Sequence, residues 1–428
     1  MSDPPPASSR LIDQRDFVLF WFSRWAASLA VTIEAVTLQW QVYDLARAGM
    51  DVRHAALMVS LLGLFTFVPV FLLALPAGET ADRFERKRIM AICETGEVLT
   101  IGFLAVAALF HFTGVPMLLG VAVLFGVFRS FFSPASGALG PMLVPRELLP
   151  RAIAWNSLAW QTAAIGGPAL GGLLIAISPA TAYLVGFGLY LMALLSLLMI
   201  KTPTKPVVQP GSRWTLMKEG LAYTWRNKIV FGSISLDLFA VLLGGATALL
   251  PVFARDILHA GPTGFGLLRA GAAIGAAPVA LMLANRPLQR HAGKVMFASV
   301  AIFGAGTVVF GLSTSLALSV AMLALLGAAD MLSVYIRTTL IQIVTPDHMR
   351  GRVSAVSSVF IGASNELGEF ESGLVARFIG PVAAAVYGGV GALFVTGAWA
   401  WMFPELRKAD RLIAPDSQTP LPAATSGA

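Results

Sequence analysis

Charge is scarce in this chain. Of 428 residues only 12% are Asp, Glu, Lys or Arg, against roughly 25% in soluble domains. So little charge cannot coat a water-exposed globule, and 57% hydrophobic residues place the chain in a bilayer. Cysteine is scarcer still. Cys93 stands alone, which excludes a disulfide framework and any CxxC or Cys/His cluster within one chain. The five histidines (His54, His111, His259, His291, His348) fall in or beside polar segments and do not cluster, so no metal site is expected. HExxH, GxSxG, a Walker loop and GxGxxG after a strand are all missing, and the chain is expected to be neither an enzyme nor a cofactor carrier. Met1 to Arg10 is rich in Pro and Ser, with no short apolar run before a cleavage site, so no cleaved signal peptide is expected.

What is present is a series of long apolar runs. They are near 20 residues or longer, twice the length of barrel strands and without their alternation, so the spans are helices. Twelve are expected, at 16–43, 55–77, 88–110, 115–140, 152–177, 180–200, 229–254, 263–285, 294–312, 316–342, 352–376 and 381–403. With the N-terminus inside, the cytoplasmic segments collect most of the 30 Lys/Arg. They include Arg83, Arg86, Lys87 and Arg88 in one short stretch, while the outer loops keep Arg47, Arg53, Arg255 and Arg377. The inverse topology reverses this bias and is rejected. The net charge of +7 therefore reports membrane orientation and not a nucleic-acid partner. The expected setting is a bacterial inner membrane, with both termini cytoplasmic and the chain a monomer.

The longest internal connection lies mid-chain. Lys201 to Gly211 holds three prolines and reads as an extended linker. Trp214, Met217, Leu221 and Trp225 then recur at helical spacing among Arg213, Lys218 and Arg226, as in an amphipathic helix on the membrane surface. The chain also repeats itself at a constant offset of 201: Pro145 falls on Pro346, Arg151 on Arg352, Ala154 on Ala355, Ser157 on Ser358, Gly167 on Gly368 and Gly172 on Gly373. The expected organisation is a tail (1–15), a six-helix bundle (16–200), the linker (201–228), a second six-helix bundle (229–403) and a tail (404–428).

Two motifs give the chain a family likeness. Gly78, Asp82, Arg83, Arg86 and Lys87 stand in the order G-x-x-x-D-R-x-x-R-K, which resembles the signature loop between helices 2 and 3 of major facilitator superfamily transporters. Glu85 departs from it, where many members carry a second glycine. Gly167, Pro168, Gly171 and Gly172 form G-P-x-x-G-G in the fifth span, similar to the helix 5 signature of that superfamily's antiporters. The segments Thr345-Pro-Asp-His-Met-Arg-Gly-Arg-Val-Ser354 and Ala363-Ser-Asn-Glu-Leu-Gly368 resemble the branch that includes enterobactin exporters. The likeness implies two parallel halves related by an axis along the membrane normal, a substrate near the midplane and rocking between two accesses. It also implies that the Asp82 loop acts as a conformational switch, with Asp82 near the amino end of the eleventh span and Arg83 or Arg86 in a salt-bridge cluster.

Charges inside spans are costly and usually functional. Arg129 and Asp330 occupy equivalent positions under the offset of 201, each roughly 20 Å into its helix. They either face each other as a gate or pair separately. An arginine at that place in the fourth span resembles one found in many proton-coupled exporters, although Ser133 stands where their motif usually has a glycine. In the eleventh span Asn365, Glu366 and Glu369 share one face, and Glu371 points away. Two carboxylates one turn apart in a semi-dry cavity will not both ionise, so Glu366 and Glu369 are the first candidates for proton coupling, ahead of Glu34 and Asp237. A site for cationic groups of the substrate, or pairing with Arg269, remains the alternative. Arg24, Arg269 and Asn365 are further cavity candidates. Arg337 and the pair Glu94 and Glu97 are expected nearer the cytoplasmic ends of their helices.

Together these point to a secondary active transporter that exports an amphipathic small molecule, siderophore-like or drug-like, against an inward proton gradient. A lipid or lysolipid transporter of the same fold is the runner-up. A membrane sensor or scaffold that transports nothing is the rival from another class.

Overall fold

In the computed structural model, residues 10–204, 213–288 and 290–409 are described. The chain up to residue 9, the linker residues 205–212, residue 289 and the tail from 410 onward lie outside them, as do the side chains of Arg213, Trp214, Thr215, Leu216 and His348. The architecture is all-α. The first half comprises α1 (Arg15–Gly49), α2 (Val52–Arg83), α3 (Arg86–Leu109), α4 (Val115–Leu139), α5 (Leu149–Ile177) and α6 (Pro179–Leu198). A linker helix, α7 (Arg213–Arg226), follows. The second half comprises α8 (Lys228–Gly244), the short α9 (Leu250–Val252), α10 (Gly261–Asn285), α11 (Ala292–Leu312), α12 (Leu316–Val344), α13 (Asp347–Ile379), α14 (Pro381–Met402) and the short α15 (Pro404–Arg407). By length and composition, 11 helical segments are apolar enough to cross a membrane. The twelfth long helix, α13, has 33 residues, ample for a span, and misses only through its polar residues.

Each half packs mainly within itself: α1 on α5 and α6, α3 on α4 and α6, α2 on α4, and correspondingly α10 on α12, α11 on α12 and α14, and α8 on α13 and α14. Between the halves two pairs dominate, α2 with α13 and α5 with α10. The repeat maps each of these pairs onto the other. Lipid tails are as apolar as leucine, so helices associate through close backbone approach rather than through a hydrophobic force. Glycine supplies that approach. A methyl group on Gly304 would lie 2.9 Å from the Gly389 carbonyl oxygen, joining α11 to α14, and one on Gly327 would enter the Ala272 backbone of α10.

Two features differ from the sequence expectation. The polar stretch from Gly78 to Arg88 is almost wholly helical: α2 runs on to Arg83, α3 starts at Arg86, and only Phe84 and Glu85 lie between them. The seventh span, expected as one helix, breaks at Gly245. A 3-10 turn (Ala246–Leu249), α9 and a π-helical turn (Phe253–Ile257) carry it onward. Gly245 packs against the Gly368 backbone of α13, where a side chain has no room. A broken helix of this kind is tolerated at membrane depth where protein covers it.

Candidate functional site

Four charged side chains converge at the middle of the bundle. Arg129 of α4 reaches across the halves to Glu366 of α13, with Nη1 3.5 Å from Oε1. One turn along α13, Glu369 lies 3.5 Å from Nη1 of Arg269 on α10. Thr247, in the broken stretch of the seventh span, donates its hydroxyl to the same carboxylate at 3.0 Å. Gly63 of α2 runs beside both glutamates: a methyl group there would lie 3.4 Å from the Glu366 carbonyl oxygen and from Glu369 Oε2. The quartet carries two positive and two negative charges and is neutral when all four ionise. The first pair is the looser one: the Arg129 side chain is 61% exposed and Glu366 24%. Asn365 is exposed on the same helix, and Glu371 makes no ion pair among the described residues.

Arg129 and Asp330 do not meet. Arg129 turns to Glu366, and Asp330 of α12 instead lines a small cavity with Asp237, Ser299 and Ser333. Asp237 is itself engaged, by Arg337. Arg337 lies in the half of α12 nearer Val344, and only 2% of its side chain is exposed. Glu94 and Glu97 lie in the half of α3 nearer Arg86 and are also interior, at 0% and 6% exposure. Hydropathy locates a residue along a helix but not the side of the helix it occupies, and both face α1 and α6. Glu94 accepts from Ser23 at 3.0 Å, and Glu34 accepts from Tyr190 at 2.9 Å. Tyr190, Tyr183, Gln41 and Thr247 were not foreseen, since isolated polar groups in apolar runs give no pattern.

The two ends of the bundle differ. The end bearing Arg83 to Arg88 is called the basic end here, and the opposite one the far end. At the far end the halves are bolted together. Asp44 pairs with Arg255, and Asp256 receives the Tyr43 hydroxyl and Arg47, whose Nη2 lies 3.1 Å away. Arg53 donates to the Phe378 carbonyl at 3.2 Å. The π-helical turn makes this possible, because Arg255 and Asp256 are consecutive and both face α1. Below the bolts, Gly172 of α5 sits on α10, where a methyl group would lie 2.7 Å from the Pro262 oxygen. A methyl group on Gly373 of α13 would run into the Ser60 side chain of α2. Gly167 and Gly171 of the same α5 motif face Thr32 and Ile33 of α1, so the motif serves packing both within and between halves.

Toward the basic end the halves part. A methyl group on Gly351 or Gly362 of α13, or on Gly166 of α5, would touch nothing within 4 Å. Gly351, Ser354, Ser358, Gly362 and Asn365 leave an exposed small and polar stripe on α13. The candidate switch residues sit at this end. Arg86 donates to the Ala138 carbonyl at 3.0 Å and to Met142, and Lys87 donates to the Leu198 and Ile200 carbonyls at 2.9 and 2.5 Å. Both cations thus cap the carboxyl ends of α4 and α6, where the helix dipole is negative. Arg83 pairs with Glu79, one turn back, at 2.5 Å. In this conformation, among the described residues, none of these three joins a cluster with α13, which the parting of the halves explains. Gly78 is buried, and Asp82 occupies the last turn of α2.

Known proteins resemble this chain along most of its length. A family model described as a transmembrane secretion effector matches residues 9–425. An enterobactin exporter of Citrobacter koseri is 28% identical over 367 residues, covering 83% of this chain and 85% of the relative. An enterobactin exporter of Shigella boydii is 27% identical over 364 residues, with the same coverage. Among solved structures, a POT family transporter in complex with 5-aminolevulinic acid superposes with a TM-score of 0.73 at 11% identity, over 92% of this chain and 96% of its own. A D-xylose–proton symporter gives 0.66 at 14% identity, over 92% and 98%. At such identities the structures speak for the fold alone.

Proposed function

The chain belongs to the transmembrane secretion effector family of the major facilitator superfamily, and from that premise we propose that it is a secondary active exporter of an amphipathic small molecule, driven by inward proton flow. The basic end is the cytoplasmic one by the positive-inside bias. With the far end bolted and the basic end parted, the conformation is then inward-facing, ready to load from the cytoplasm.

The observation that carries the coupling is the Arg129–Glu366 contact. It is an ion pair between the halves at the depth where they hinge, and it is loose enough for water to reach. An ionised Glu366 holds Arg129. A proton on Glu366 removes its charge and frees the arginine. Protonation from the outer side in the outward-open state displaces substrate, and release of the proton to the cytoplasm restores the pair seen here. Glu369 is held by both Arg269 and Thr247 and acts as the fixed partner of the pair of acids. Each pH unit of gradient supplies about 1.4 kcal/mol per proton, and each 100 mV about 2.3 kcal/mol, enough to drive concentrative export of a small molecule.

The enterobactin exporters in the family make a siderophore-like cargo the first to try. The test is a ligand-dependent proton-flux screen in proteoliposomes. Under an imposed gradient, a transported compound accelerates proton entry in proportion to its own movement. Flux that no compound alters, across siderophore-like, drug-like and lysolipid sets, would overturn the reading.

A further inference from the structure

Four arginines lie within the spans, and three have a carboxylate: Arg129 on Glu366, Arg269 on Glu369 and Arg337 on Asp237. Arg24 of α1 does not. Its partner is the Ser136 hydroxyl of α4, and among the described residues no acid neutralises it. A guanidinium is always charged, so a partly buried one without an anion leaves a charge that a ligand can complete.

The surroundings of Arg24 say what kind of anion. Trp21 and Trp25 lie within one turn of it along α1, three residues before and one after, with rings nearly parallel at 7° and centroids 6.4 Å apart. Trp155 of α5 packs edge-on against Trp21 at 5.7 Å, and its carbonyl accepts from the Trp21 indole at 2.8 Å. That bond fixes one ring relative to the other. One turn nearer the basic end, a methyl group on Gly140 would meet Phe20 of α1 and the Asn156 amide nitrogen of α5, and among the described residues the Asn156 side-chain oxygen is buried without a partner. Arg24 links α1 to α4, which share α2 as a neighbour and touch each other only lightly. The cluster therefore stands at the parted end, on the side where the helices of the first half converge.

We propose that Arg24, Trp21, Trp25, Trp155 and Asn156 form an entry subsite for a planar aromatic anion, such as an aryl carboxylate or phenolate, on the reading that the chain exports small molecules. The guanidinium fork takes the anion, indole faces take the ring, and the free amide oxygen of Asn156 accepts from a ring hydroxyl or amide. The subsite lies on the path to the Arg129–Glu366 pair rather than at it, and so selects cargo before coupling begins.

The test is calorimetric titration of the full chain in lipid nanodiscs with three probes: 2-naphthoate, its neutral amide, and the saturated decalin-2-carboxylate. The expected order is naphthoate tightest, with the amide weaker by roughly ten- to a hundredfold, the worth of a charge-assisted hydrogen bond, and the decalin acid also weaker. Arg24→Gln should bring naphthoate down to the level of the amide, and Arg24→Lys should restore part of the loss. Equal binding of acid and amide, or of naphthoate and the decalin acid, would overturn the proposal on the unmutated chain alone, even if a variant fails to fold. So would unchanged binding in Arg24→Gln. No gradient is applied, so a failure of proton coupling leaves this result standing, and the reverse also holds.

Discussion

Removing Asp256 should open the far end. Its carboxylate takes Tyr43 and Arg47 at once, and the side chains of Arg47 and Asp256 are only 25% and 22% exposed. A fully exposed ion pair contributes about 0–1 kcal/mol. A half-buried carboxylate that adds a hydroxyl bond contributes somewhat more, about 1–2 kcal/mol in all. The neighbouring Asp44–Arg255 pair is more exposed, belongs to the lower range and survives the change. Asp256→Ala therefore shifts the balance between inward- and outward-facing states by roughly 5- to 30-fold, since Arg47 regains water when the bolt is lost. Spin labels at Met50 and Leu312, exposed positions in opposite halves, report the far-end separation by double electron–electron resonance. Cys93 is buried and is replaced by Ser. A second, longer distance population should appear or grow in the variant. An unchanged distribution would refute the assignment of these contacts as the lock between halves.

Further expectations follow from other contacts. Arg129→Glu combined with Glu366→Arg should recover part of the transport that each single change abolishes, measured as ligand efflux from proteoliposomes. The swap of Arg129 with Asp330 should recover none, because those two do not meet. Arg337→Met leaves Asp237 buried and unpaired and should cost about 3–5 kcal/mol, read as a fall in melting temperature in detergent. Adding Asp237→Asn should return most of it. Gly172→Val meets the Pro262 and Gly266 backbone and should block closure of the far end. Gly362→Val, which meets nothing here, should leave the present conformation intact, with label distances as the readout for both.

Much of the fold was legible because hydropathy and helix length report it directly. The starts and ends of α4, α5 and α6 fell within a few residues of their observed positions, since Gly114, Pro145 and Ser178 punctuate the chain around them. The offset of 201 compares like with like: it sets α5 against α13, and these two helices take equivalent partners in the opposite half, α10 and α2. The break at Gly245 was hidden inside an unbroken apolar run, where two adjacent glycines and Pro251 were the sole hints. The site was legible in kind but not in connection. Glu366, Glu369, Arg129 and Arg269 stood out as charges in spans, yet which cation takes which acid depends on helix rotation and tilt. A repeat offset cannot supply either, so Asp330 looked like a partner for Arg129 by symmetry alone. Glu34, Glu94 and Glu97 illustrate the same limit: three interior acids on the first half, of which distance from a loop identified one.

The central claim is that Glu366 couples proton entry to export. The most direct measurement is export from proteoliposomes carrying Glu366→Gln, against a series of imposed pH gradients, alongside pH-dependent ligand binding by the same variant. Glutamine mimics the protonated side chain. Gradient-driven export should disappear, while binding persists and no longer changes with pH. Export that still rises in proportion to the gradient would contradict the account and move the coupling acid elsewhere, with Glu34 the next to test.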